Sequence, residues 1–246
     1  MITAKEFSEF AASRRTTRDF LSKPVPQKVL DEILSDGMTA PSWSNTRPFM
    51  IGIASGELRD EVSAELLKRW NVVSKARGGS ILDKLRLAFT PWAWPINDYK
   101  MLKPYPKELL PRSRKVGKDL YAVLEVPRGD KAARDAHWAR NYEFFGAPTV
   151  FFVFAHKGLG AYAVSDASLF VENVILSAHA HGLGTCAQGA VAMWSKPIKK
   201  RFNLPAEYGL MYGVAVGYPS DHKVNGFGAE RLPVIDLIAY PRDYEK

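Results

Sequence analysis

The sequence is poor in sulfur chemistry. Among its 246 residues there is one cysteine, Cys186. An intramolecular disulfide, a CxxC redox pair and a cysteine-based zinc knuckle are therefore all excluded. Because a lone thiol is usual in a reducing compartment, we expect a cytoplasmic protein.

Long apolar runs are also missing. No segment approaches the ~20 continuous apolar residues that a membrane-spanning helix needs, and Lys5, Glu6 and Glu9 interrupt the first apolar residues. Hydrophobic residues make up 46% and charged residues 24% of the chain, close to the averages of globular proteins. We expect no membrane partner and a single domain over residues 1–246.

Motifs for hydrolysis and for metal binding are lacking as well. There is no G-x-S-x-G elbow and no convincing pairing of Cys with His, so the sequence offers no visible nucleophile. His179 and His181 are spaced i, i+2, which on a helix directs the two rings differently, and we expect no metal site. Catalysis by this chain would therefore depend on an organic cofactor.

A glycine-rich stretch, Gly182 to Ala187, formally matches the dinucleotide-binding pattern G-x-G-x-x-A. That pattern requires a preceding strand, whereas a helical run ending at His181 precedes it here. We predict a helix C-cap followed by a turn.

Positive charge is in excess, with a net charge of +8. Most basic residues are scattered among acids, and no nucleic-acid motif is present, so we expect no nucleic-acid partner. The exception is Arg14-Arg15-Thr16-Thr17-Arg18, where guanidinium forks and hydroxyls suit the oxygens of a phosphate monoester. A solvated helix end is the alternative interpretation.

Hydrophobic periodicity divides the rest of the chain into helices and strands. Helices are predicted over Thr3–Arg14, after Pro26 to Gly37, from about Leu58, and over Asp166–His181. Strands are predicted over Phe49–Ala54, Thr149–Ala155 and Leu210–Gly217. Residues 78–135 are proline-rich and lose periodicity, which predicts an irregular insertion or lid. The alternation of elements indicates an α/β or α+β fold.

Four motifs occur in an order that resembles the FMN-dependent nitroreductase family. They are R-R-T-T-R-D-F, then A-P-S-W-S-N-T-R-P-F, then G-L-G-T-C-A-Q-G, and finally G-Y-P followed by A-E-R-L-P. The resemblance covers most of the chain outside residues 78–135. It implies an α+β sandwich with a central mixed sheet flanked by helices, and an intertwined homodimer with residues of both chains lining each FMN site.

The resemblance also assigns roles to individual residues. It implies that the flavin phosphate and ribityl chain contact Arg14, Arg15, Thr16, Arg18 and Arg231. It implies that Pro41, Ser42, Ser44 and Asn45 border the isoalloxazine ring, and that the backbone of Gln188, Gly189 and Ala190 approaches flavin N5 and O4. Ala190 departs from the glycine or glutamate common there, a change that a backbone donor tolerates.

The activity implied is reduction of nitroaromatics, including nitrobenzoates, by a ping-pong transfer of hydride from NAD(P)H. Alternatives are a reductive dehalogenase or another reductase of the same family, and a non-enzymatic flavin-binding or redox-sensing protein. Trp43, Trp94 and Tyr105 are expected to contact the small aromatic substrate, with core or lid packing as the alternative.

Overall fold

The computed structural model describes residues 2–99 and 104–242. Its helices are α1 (Ala4–Ser13), α2 (Gln27–Gly37), α3 (Gly56–Gly78), α4 (Ile81–Ala88), α5 (Leu110–Val123), α6 (Lys131–Ala139), α7 (Ala161–Ala180) and α8 (Ser195–Lys199). Its strands are β1 (Phe49–Ser55), β2 (Thr149–His156), β3 (Gly184–Gln188) and β4 (Tyr208–Gly217). Within these ranges, no helix is long and apolar enough to cross a membrane.

Helix α1 begins as the sequence predicts. The Glu6 backbone N–H donates to Thr3 Oγ1 at 3.2 Å, and the Thr3 N–H donates to Glu6 Oε2 at 2.7 Å, which completes a capping box. The helix ends at Ser13, because Arg14 adopts an extended conformation. The arginine segment therefore leaves α1 as extended chain.

The sheet has the strand order β1-β2-β4-β3. The α+β class is confirmed, but the sheet is not mixed as predicted: every pair of named strands is antiparallel. The reason is that β4 lies between β2 and β3, the two strands that α7 connects and that run in the same direction. In the described residues, parallel pairing is confined to isolated bridges, Thr16 with Thr185 and Ile96 with Trp194.

Strand β2 is buried on both faces, as its continuous apolar sequence predicts. Val150, Phe152 and Phe154 belong to one apolar core, while Phe151 and Val153 belong to the other. This is the alternation of period two that a strand imposes. Helices α2 and α7 pack on the second face, so α7 lies directly behind the sheet.

The prediction that residues 78–135 are irregular is wrong for much of that stretch, since it contains α4, α5 and α6. Ser80 and Asp83 form a capping box at the start of α4, and Asp130 caps α6. Pro111 lies in the first turn of α5, where a proline removes no helical hydrogen bond. The prolines and turn residues here separate short helices and do not abolish them.

The predicted turn after Gly182 is only partly correct. Gly182 has a φ of +71° and ends α7 as expected, but Gly184–Gln188 is a strand. It pairs with β4 over its whole length. Such a short segment, without apolar alternation, becomes a strand because its partner is in place, which local sequence does not reveal.

Candidate cofactor site

The arginine segment runs along the edge of β3. The Thr17 N–H donates to the Thr185 carbonyl at 3.0 Å, next to the bridge between Thr16 and Thr185. A Cβ atom at Gly184 would lie 2.2 Å from Thr17 Oγ1, so only glycine permits this approach. The close contact fixes the position of the arginine segment along the edge of β3.

A loop from the far end of the chain holds the segment in place. Asn225 Oδ1 accepts from the Arg18 N–H at 2.8 Å, and Asn225 Nδ2 donates to the Asp19 carbonyl at 2.8 Å. Asp19 also accepts from Ser220 Oγ at 2.6 Å and from Arg140 Nη2 at 2.8 Å. Sequence reasoning missed Asn225, because a contact between positions so far apart in sequence leaves no local signal.

A cavity of about 130 Å³ opens beside Arg14 and Arg15. Its lining includes Ser13, Thr17, His179, Thr185 and Asn225, and among the described residues no acidic side chain contributes to it. His179 Nε2 lies 2.7 Å from Ser13 Oγ. Burial, and then the positive charges of Arg14 and Arg15, lower the pKa of His179. The cavity combines positive charge with hydroxyl and amide donors, which is the chemistry that a phosphate requires.

Arg18 lies near an aromatic ring from the C-terminal part of the chain. Its guanidinium carbon is 5.9 Å from the centroid of the Phe227 ring. Burial, and then the charges of Arg18 and Arg140, lower the pKa of His137. Burial raises the pKa of the Cys186 thiol to about 12 despite the opposing effect of Arg18, so this thiol stays protonated.

Gln188, Gly189 and Ala190 lie at the opposite end of β3. At about 3.3 Å per residue, Gln188 is about 10 Å from Thr185. The Gln188 side chain is buried and donates to the Asn141 carbonyl at 2.8 Å. Its Oε1 atom is buried without a hydrogen-bond partner among the described residues, while Gly189 is exposed. The backbone of Gly189 is thus accessible at one end of the strand, with the arginine cavity at the other.

The Ser42–Asn45 loop has an unusual backbone. Ser44, Asn45 and Arg47 have φ values of 47°, 56° and 43°, a region that residues other than glycine rarely occupy. The Trp43 N–H donates to Asp166 Oδ2 at 3.0 Å, and the Arg47 N–H donates to Ser42 Oγ at 3.2 Å. Strained backbone of this kind concentrates at ligand-binding sites.

Arg47 is a further residue that sequence reasoning missed. Its Nε atom is buried and has no hydrogen-bond partner in the described part of the chain. Its Nη1 atom donates to Asn45 Oδ1. The position of an arginine before Pro48 in a polar loop was the available signal.

The loop and the arginine cavity lie at opposite ends of α7. The loop contacts Asp166, and the cavity contains His179. At about 1.5 Å per residue, these two positions are about 20 Å apart along the helix axis. One chain therefore does not bring Pro41, Ser42, Ser44 and Asn45 to the arginine cavity.

The remaining predicted residues are dispersed. Arg231 is exposed, and its Nη1 atom donates to the Ala229 carbonyl at 2.8 Å. Arg231 follows three positions after Gly228, and Gly228 adjoins the Arg15 side chain. Trp43 packs edge-on against Tyr162, with ring centroids 3.4 Å apart. Trp94 lines a separate cleft, and Tyr105 is 62% exposed.

Comparison with known proteins identifies the family. The model of the Nitroreductase family matches residues 11–218, which include the arginine segment, the Ser42–Asn45 loop and all four strands. This chain belongs to the nitroreductase family.

Two nitroreductases of known structure and one curated relative are similar over most of the chain. A 4-nitrobenzoate reductase from Pseudomonas putida is 28% identical over 88% of this chain and 87% of its own length. The FMN and NADPH-dependent nitroreductase NfnB from sphigopyxis sp. strain HMH is 27% identical, with a TM-score of 0.77 over 95% of this chain and 98% of its own. NfnB from Mycobacterium smegmatis, at 23% identity, shares the fold with a TM-score of 0.79, covering 97% of this chain and 99% of its own.

Proposed function

We propose that this protein is an FMN-dependent NAD(P)H nitroreductase that reduces small nitroaromatic compounds. The observation that carries the proposal is the cavity of Arg14, Arg15 and His179 at one end of β3, with the exposed Gly189 backbone at the other. The first offers donors for a phosphate, and the second offers N–H groups for a heterocycle. This donor set fits FMN.

In this proposal each part of the chain has a defined task. Arg14, Arg15, Thr16, Thr17 and His179 hold the phosphate, with Arg18 and Arg231 adding positive charge. The positive field also favours the anionic reduced form of the cofactor. FMN, when bound, supplies the hydride chemistry between NAD(P)H and the acceptor, and the protein provides position and electrostatics.

The backbone of Gln188, Gly189 and Ala190 would orient the ring edge. Backbone N–H groups depend on the path of the chain and not on side chains, so Ala190 is compatible with this task. The buried Gln188 side chain, bonded to the Asn141 carbonyl, anchors the end of β3 and thereby the position of Gly189. Gln188 acts here as a positioning residue.

We propose a homodimer, as the resemblance to the family implies. In that dimer, Pro41, Ser42, Ser44 and Asn45 of one chain border the ring that β3 of the other chain holds. The Nε atom of Arg47, which is buried without a hydrogen-bond partner among the described residues, would then gain an acceptor from the cofactor. A small aromatic acceptor would contact Trp43 of this loop and Tyr105 of the 78–135 segment, whereas Trp94 lines a separate cleft.

The similarity to a 4-nitrobenzoate reductase suggests nitrobenzoates as acceptors. The test is a visible absorbance scan and a mass spectrum of the cofactor released from purified protein, followed by NADH and NADPH oxidation with and without 4-nitrobenzoate. We expect FMN and nitroaromatic-dependent oxidation. Bound FMN without any turnover would support a redox-sensing protein, and turnover only with halogenated aromatics would support a dehalogenase.

A further inference from the structure

An aromatic cleft lies between α3, the 3₁₀ turn Pro91–Ala93 and α8. Its volume is about 240 Å³. Its apolar wall consists of Pro91, Trp92, Trp94, Ile96, Trp194 and Pro197. Arg69, Lys196 and Lys200 also line it, and no acidic residue does so in the part of the chain that the structure describes. The cleft differs in character from the arginine cavity, since it is mainly aromatic and carries positive charge at its border.

The tryptophans of the cleft are held in fixed orientations. Trp94 Nε1 donates to the Leu87 carbonyl at 2.8 Å, and Trp194 Nε1 donates to the Ala93 carbonyl at 3.0 Å. Trp92 lies against two cations, with Lys68 Nζ at 5.0 Å and Arg69 Cζ at 5.6 Å from its ring centroids. Because its indole N–H group is already bonded, Trp94 offers the cleft chiefly carbon surface, whereas Trp194 is only 1% exposed. Rigid walls of this kind bind a flat ring with little loss of conformational entropy.

Arg69 is incompletely satisfied in its present environment. Its Nη2 atom donates to Glu65 Oε1 at 2.7 Å, but its Nε atom is buried and lacks a hydrogen-bond partner within the described ranges. A buried donor without an acceptor is unfavourable. Lys196 and Lys200, both exposed, add two cations to the lining of the cleft.

We propose that this cleft binds a small planar aromatic ring that carries a carboxylate. The ring packs against the exposed rings of Trp92 and Trp94, and the carboxylate lies toward Arg69, Lys196 and Lys200. The volume is below the roughly 300–1,000 Å³ typical of larger ligands, which favours a single ring over a nucleotide. Binding here requires no electron transfer, so the proposal stands independently of the flavin chemistry proposed above.

The test is a ¹⁹F NMR titration of the full-length protein, as purified, with 4-fluorobenzoate and with its neutral analogue 4-fluorobenzamide. We expect saturable binding of 4-fluorobenzoate. Binding of 4-fluorobenzamide should be at least about tenfold weaker, because it lacks the charge that the three cations recognise. Equal affinity for the two compounds would remove the role assigned to the carboxylate.

Variants locate the site. Lys196→Ala combined with Lys200→Ala should weaken 4-fluorobenzoate binding at least about fivefold, whereas Lys28→Ala, which changes an exposed lysine of α2, should leave it unchanged. Arg69→Gln should weaken 4-fluorobenzoate binding more than the double lysine variant does. If Arg69→Gln fails to fold, the double lysine variant alone tests the proposal. Unchanged affinity in the lysine variant overturns the proposal.

Two competing sites are distinguished in the same titration. A change in the visible flavin spectrum that saturates together with the ¹⁹F signal, equally in wild type and in the lysine variant, would place the ligand on the flavin instead. If adenosine 2′,5′-bisphosphate displaces 4-fluorobenzoate at a concentration below that of the 4-fluorobenzoate present, the cleft is a nucleotide site. Either result overturns the assignment.

Discussion

Arg18 shows how one residue of the proposed site can be tested apart from the fold. Its backbone is tied to Asn225, while its side chain faces Phe227 and affects the pKa values of His137 and Cys186. Arg18→Ala keeps the backbone bond and removes the guanidinium group with its charge and its contact with Phe227. We expect FMN binding to weaken by about 1.5–3 kcal/mol, the range of hydrogen bonds to charged groups.

Titration of the apoprotein with FMN measures the effect of Arg18→Ala, with Lys28→Ala as a control that removes a positive charge on α2. Unchanged affinity in Arg18→Ala, with cooperative thermal unfolding, would support the interpretation of the arginine segment as a solvated helix end. An equal loss in both variants would indicate general electrostatic attraction.

His137 makes stability depend on pH. Its pKa in the folded protein is below the usual 6.5 because of burial and then the charges of Arg18 and Arg140. Between the usual pKa of 6.5, which applies to the unfolded chain, and the lower pKa of the folded protein, His137 is protonated more in the unfolded chain than in the folded one. The free energy of unfolding therefore decreases as the pH falls through this range. This stabilisation is complete above about pH 6.5 and is lost as the pH falls through the folded-state pKa.

Urea unfolding of the apoprotein from about pH 7.5 to about pH 5.5 should show this loss, and His137→Gln should reduce the slope. The pKa of His179 is lowered as well, so His179 contributes with the same sign and part of the slope should survive in His137→Gln. A slope that His137→Gln leaves identical would contradict the assignment to His137.

At the residue scale, the sequence predicts candidate site residues that are adjacent in the chain and misses those that only the fold brings together. Arg14, Arg15 and Thr16 were identified because their side chains follow one another in a short segment. Asn225 and His179 were not, because each reaches the segment from a distant part of the chain.

The Ser42–Asn45 loop is an element whose strain can be separated from its hydroxyl groups. Ser44 has a φ of 47°, which costs a residue other than glycine about 1–2 kcal/mol. Ser44→Gly relieves this strain but gives the unfolded chain more freedom. We expect the free energy of unfolding of the apoprotein to rise by up to about 1 kcal/mol while FMN affinity falls.

Ser44→Ala is the matched control, since it removes the hydroxyl and keeps the strain. It should weaken FMN binding without raising stability, as measured by urea unfolding and FMN titration. If Ser44→Gly destabilises the apoprotein by more than Ser44→Ala does, the left-handed conformation is not a source of strain.

Longer elements with clear periodicity were predictable, and those that depend on tertiary partners were not. The run Thr149–Ala155 was identified as a doubly covered strand because all its residues are apolar or β-branched, and β2 confirms it. Helices α4 to α6 were missed because prolines and exposed apolar residues obscure their periodicity. Ile81, Leu82 and Phe89 are at least 75% exposed, which local pattern rules do not anticipate.

At the scale of the whole molecule, the proposed site combines the arginine segment of one chain with the Ser42–Asn45 loop of a second. Light scattering should therefore give twice the 27.5 kDa mass of a single chain for the FMN-loaded protein. A single-chain mass with FMN bound would show that one copy suffices and that the loop takes no part.

A hybrid dimer tests which chain supplies each part. Chain one carries Arg14→Ala and Arg18→Ala, chain two carries Ser42→Ala and Asn45→Ala, and two different affinity tags isolate the hybrid. If each site combines the arginine segment of one chain with the loop of the other, the hybrid has one intact site and one site with both lesions. We expect about one FMN per hybrid dimer, compared with little in either variant homodimer, because an intact site binds independently of the damaged one. If both parts came from the same chain, each hybrid site would keep a lesion and FMN content would stay as low as in the homodimers. Absorbance at the flavin band against protein concentration distinguishes the two cases.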